Sequence, residues 1–85
     1  MRNIDVILEA IYVLDISNRE FETMAGLKAG RLFEIKEDVE NDLTEEELSA
    51  IAEVYTAEFR CIGYHFISNT LFNQVFVTKD RISIN

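Results

Sequence analysis

Proline is absent from this sequence, glycine occurs three times, and cysteine and histidine occur once each. With 48% apolar residues and no Pro- or Gly-rich tract, the chain is expected to fold rather than stay disordered, and 85 residues are expected to form one domain. The lone cysteine, Cys61, leaves no disulfide within the chain and fits a reducing cytosol. Long apolar runs are missing too. MRNIDVILEAIYVL is interrupted by Asp5 and Glu9, which makes it a poor signal peptide and far too short to cross a bilayer. A soluble, cytoplasmic protein without membrane contact is expected.

Positive charge is scarce. Sixteen Asp and Glu stand against eight Lys and Arg, a formal net charge of −8. The imbalance is local, because residues 39–58 hold seven acids and no base. Affinity for nucleic acid comes largely from Lys and Arg neutralising phosphates, so an acidic domain begins with a handicap there. Much of this acid is explained by helix-starting chemistry on a solvated face rather than by a catalytic cluster.

Catalysis and metal binding find no support. His65 has no Ser, Cys or Asp partner at a recognisable spacing. Cys61 and His65, four apart, would share a helix face as half of a zinc site, but no second Cys/His pair exists. GLKAGR has neither the glycine spacing nor the Lys-Ser/Thr ending of a phosphate loop. No enzyme, metal or cofactor is expected.

What the sequence does contain is a series of helix signals. Asn3 reads as a cap for a first helix, followed by Ile4, Ile7, Leu8, Ile11 and Leu14 at helical spacing. Ser17 and Glu20 have the S-x-x-E spacing of a capping box, with Ile16 and Phe21 placed as a hydrophobic staple. Thr44 and Glu47 repeat the device between Leu43 and Leu48. These predict helices starting at 18 and 45, the second with Leu48, Ile51, Ala52 and Tyr55 on one face. Between them the pattern predicts a helix over 18–25, a turn at Gly26-Leu27 and a helix over 28–37. Phe21, Ala25, Leu27, Leu32 and Ile35 would meet in the core. Residues 57–67 allow either a fifth helix or a strand. LFNQVFV (71–77) alternates like a strand, and TKDR offers a turn before ISI.

The stretch REFETMAGLKAGRLFEIKED, residues 19–38, resembles the core of the Cro/CI-type (XRE) helix-turn-helix family. Ala25-Gly26-Leu27 is similar to the family's turn, Leu32 and Ile35 match buried positions of its recognition helix, and LTEEELSAIAEVY is similar to its fourth helix. The resemblance covers about residues 3 to 66. It implies a mainly α fold, a Cro/CI-like domain of four to five helices with a short C-terminal β-strand or hairpin. The boundaries expected are 1–68 for the helix-turn-helix domain and 69–85 for an extension that is part of the same domain or a dimer interface.

The resemblance also implies a dimeric DNA-binding transcriptional regulator, with Asn18, Arg19, Lys28, Ala29, Arg31 and Lys36 as DNA contacts. Departures fall where function would sit. Glu22 stands where a small residue is usual, Lys28 replaces a capping Ser or Thr, and Ala29 and Gly30 cannot make bidentate bonds to bases. Phe33 replaces a small polar residue, and Glu34 follows it. Phe33 is either covered by local packing or is an anchor for thymine methyls or a protein partner. The alternative function is therefore an acidic protein-interaction module that has lost DNA readout, of antirepressor or inhibitor type, with a basic protein partner. The tail from 71 to 84 holds too many apolar residues to be free. Phe72, Val75 and Phe76 are its candidate homodimer contacts, through strand pairing across a two-fold axis.

Overall fold

The computed structural model describes residues 2–69 and 74–79, with the side chains of Ser68, Asn69, Gln74, Val75, Phe76 and Lys79 left aside. Four helices precede a two-stranded antiparallel sheet: α1 (Asn3–Leu14), α2 (Asn18–Ala25), α3 (Arg31–Glu37), α4 (Glu45–Cys61), β1 (Tyr64–Asn69) and β2 (Gln74–Lys79). The strands pair from Tyr64 opposite Lys79 to Asn69 opposite Gln74. β2 packs against α1 and α4, so the two chain-distal strands close over the helices.

The helices form where apolar spacing and caps agree. Ser17 Oγ accepts the Glu20 N–H at 3.0 Å at the start of α2. At α4 the capping box is complete: Thr44 Oγ1 accepts from Glu47 N–H at 3.1 Å, and Glu47 Oε1 accepts from Thr44 N–H at 2.9 Å. α2 ends at Gly26, whose φ of 74° is a left-handed conformation that glycine adopts without penalty. Ile4, Ile7, Ile11, Phe21, Leu32, Ile35, Leu48, Ile51 and Phe59 are all 2% exposed or less and form one core. Within it Phe21 stacks on Tyr55 at 4.6 Å between centroids, and Phe59 stacks on Phe66 at 5.2 Å, tying α2 and α4 to β1.

Four sequence expectations are corrected. Asn3 does not cap α1; it is the first helical residue. The Asp42 carboxylate instead accepts the N–H groups of Asn3 and Ile4 at 2.8 and 2.9 Å, and Asn3 Oδ1 accepts the Val77 N–H at 3.1 Å. α3 starts at Arg31, not at 28, because Gly30 takes a φ of 83° and breaks the run. Residues 57–67 are neither a separate helix nor wholly a strand: α4 continues to Cys61, and β1 begins at Tyr64 after a turn. Thr78 and Lys79 extend β2 and so do not belong to a turn. Leu71, Phe72, Asp80, Arg81 and the ISI segment lie outside the described residues.

The start of α3 is held by a side chain. Glu22 is 4% exposed, and its carboxylate accepts from Gly30 N–H at 3.0 Å and Leu32 N–H at 2.9 Å. Glu22 thereby supplies the cap that neither Lys28 nor Gly30 can, and a buried carboxylate finds its hydrogen bonds. The other end of α3 is closed by Arg2. Its Nη1 donates to the carbonyls of Ile35, Asp38 and Asn41 at 3.2, 2.8 and 2.9 Å, and its Nη2 to that of Lys36 at 3.3 Å. Arg2 and Asp42 thus cross between α1 and the α3–α4 loop, each terminating the other's helix.

Candidate functional site

The candidate face is the α2–turn–α3 unit, because α2 and α3 each bury one side and expose the other. Phe21, Glu22 and Ala25 turn inward from α2, and Leu32 and Ile35 from α3. Asn18, Arg19, Thr23 and Met24 remain exposed on α2, and Phe33, Glu34, Lys36 and Glu37 on α3. Lys28 and Ala29 lie in the exposed connection rather than in the helix. The six residues expected to touch DNA are therefore gathered on or beside one unit, with α3 shorter than the sequence implies.

Charge pairing changes what that face offers. Arg31 Nε and Nη2 donate to Glu47 Oε2 and Oε1 at 2.6 and 3.1 Å, a two-point contact from α3 to α4. Its remaining Nη1 donates to Glu34 Oε1 at 3.0 Å, and Glu34 Oε2 lies 3.5 Å from Lys28 Nζ. Lys28, Glu34, Arg31 and Glu47 form a chain of alternating sign. The side chain of Arg31 is only 25% exposed. Burial pushes the Glu47 carboxyl up, but the hydrogen bonds and charge of Arg31 and the Thr44 N–H outweigh it and hold the carboxyl below its ordinary value. Nothing in the spacing of Arg31 and Glu47 signals this pair, because packing of α3 on α4 creates it.

Arg19 and Lys36 are exposed, and among the described residues neither has a salt bridge. Phe33 is 66% exposed, so no local packing covers it among the described residues. A cleft of about 310 Å³ lies between α3 and the following loop, lined by Arg31, Glu34, Ile35, Asp38, Asn41, Asp42 and Thr44. Three of those side chains are acidic, and Arg31 is already paired within it.

The remaining chemistry-bearing residues do not converge. Cys61 is exposed at the end of α4 and His65 lies in β1, so the two share no helix face. Among the described residues no group of three or more His, Cys, Asp or Glu is arranged to hold a metal ion. No helix among them is long and apolar enough to cross a membrane. Of the expected dimer contacts, Phe72 and the side chains of Val75 and Phe76 lie outside the described residues. Comparison with protein-family models, curated proteins and solved structures gives no match to this chain.

Proposed function

We propose that this chain is an acidic protein-interaction module on a Cro/CI-like helix-turn-helix scaffold, which uses its α2–α3 face on a protein rather than to read DNA. The observation that supports this reading is the pairing of Arg31, the cation at the start of α3, with Glu47 and Glu34; the Lys28–Glu34 contact beside it is exposed and weak. A cation held by carboxylates releases little counterion when a phosphate approaches, and the adjacent carboxylates repel that phosphate. Ala29 and Gly30 add no base-reading group where one would be needed. An acidic interaction module suits a basic partner, as an antirepressor or an inhibitor of a nucleic-acid-binding protein would meet.

A dimeric DNA-binding regulator is the second reading. The exposure of Asn18, Arg19 and Lys36 on this unit favours it. Anisotropy of a short labelled random-sequence duplex, titrated at low salt, separates the two. The interaction-module reading expects no saturable binding. Saturable binding that weakens steeply with added salt supports the DNA reading instead.

A further inference from the structure

α1 has a face that is covered at one end and open at the other. Asn3, Val6, Ala10 and Val13 recur at three- and four-residue spacing and so lie along one stripe of the helix. β2 packs on α1 at the near end of this stripe, where Asn3 Oδ1 accepts the Val77 N–H at 3.1 Å. Val6 and Ala10 are 8% and 0% exposed, whereas Val13 is 51% exposed and Tyr12 beside it 85%. The stripe stays apolar past the point where its cover stops.

β2 runs toward that open end. Val77 is level with Asn3, while Tyr64, which pairs with Lys79 across the sheet, donates its hydroxyl to Glu9, six residues further along α1. The strand ends at Lys79, and the residues that follow, 80–85, lie outside the described residues. Val13 lies ten residues past Asn3, about 15 Å along the helix. Ile82 lies five residues past Val77, about 16 Å along an extended chain.

We propose that the chain beyond Lys79 continues along α1 and lays Ile82 on Val13 and Tyr12, a strap that closes the open end of the stripe. This cover is continuous with the contact that β2 already makes. The strap is also tethered beside its site, which gives it a higher effective concentration than any free partner. Unbroken alternation from the buried Val77 turns residues 79 and 81 toward α1 and Ile82 away from it. The strap therefore shifts its alternation by one residue at Asp80 or Arg81, as a bulge does. Setting Ile82 rather than the Arg81 charge against Val13 favours that shift. A second copy of the chain is the competing occupant.

The test is methyl nuclear Overhauser spectroscopy on the full chain, with Ile82→Val identifying the Ile82 resonance. Cross-peaks from the Ile82 methyls to the Val13 methyls and the Tyr12 ring are expected. In a mixture of labelled and unlabelled protein they are expected within one chain and not between two. In urea unfolding, Ile82→Ala is expected to lower the folding equilibrium constant about tenfold, and much less when Val13 is already Ala. Absence of the Ile82–Val13 cross-peaks overturns the strap, as does a strictly additive pair of substitutions. Cross-peaks only between chains overturn it too, and give the stripe to a second copy.

Discussion

Arg31 and Glu47 meet at two points, 2.6 and 3.1 Å, and the same Glu47 oxygen that takes Arg31 Nη2 also accepts the Thr44 N–H. One carboxylate therefore starts α4 and holds the cation at the head of α3. A single change at Glu47 loosens both. Replacing Glu47 and Glu34 together by Gln frees Arg31 and Lys28 from charged partners. Duplex anisotropy at low salt is expected to show the double variant binding random DNA more tightly than the parent, with affinity falling as salt rises. An unchanged affinity shows that pairing is not what silences this face.

The Glu22 carboxylate holds the start of α3. Glu22→Ala leaves the N–H groups of Gly30 and Leu32 without their acceptor in a buried place. The expected loss is about 2 kcal/mol in urea unfolding, with Glu22→Gln costing less because an acceptor oxygen remains.

The crossed caps of Arg2 and Asp42 join α1 to the loop after α3. Arg2→Ala removes the donors that close α3, and Asp42→Ala removes the acceptors that open α1; each is expected to cost about 1 kcal/mol. Because the two act on facing ends of one junction, the double variant should lose less than the sum of the singles. Strict additivity in a double-mutant cycle contradicts that coupling.

Stability should fall at both ends of the pH scale, for opposite reasons. Glu47 has a lowered pKa in the folded state, so its contribution is present above the ordinary carboxylate range and is lost as pH falls through the folded value. Tyr64 behaves the other way. Burial, with the hydrogen bond its hydroxyl donates to Glu9 and that residue's charge, pushes it up to about 12. Its contribution is complete below 10.0, the ordinary tyrosine value, and is lost as pH rises toward 12. Urea midpoints across pH check both, with Glu47→Gln flattening the acid limb and Tyr64→Phe the alkaline one. A Tyr64→Phe profile with the parent's alkaline slope refutes the second assignment.

Local chemistry is legible in the sequence, and contacts across the fold are not. Thr44 with Glu47, Ser17 with Glu20, and Gly26 act within one turn of chain, so their spacing alone locates the starts of α2 and α4 and the end of α2. The apolar periods of α1 and α4 likewise name Ile4, Ile7, Ile11, Leu48, Ile51 and Tyr55 as core. Asn3 reads as a cap only while Asp42, far along the chain, is not seen to reach its N–H. Glu22 looks like an intrusion between helices because its use, capping α3, emerges only once Gly30 has turned the chain back. At the candidate face the exposure of Phe33 follows from helix phase, whereas the pairing of Arg31 requires α3 and α4 to be packed together.

The measurement that bears most directly on the function is selection of duplexes from a random-sequence pool by the unaltered protein at low salt. The interaction-module reading predicts that no sequence is enriched over successive rounds. Arg31 at the head of α3 is held by Glu34 and Glu47, and Ala29 and Gly30 before it carry no base-reading group. Enrichment of one motif, lost when Arg19 or Lys36 is replaced by Ala, would contradict it and identify the chain as a DNA reader.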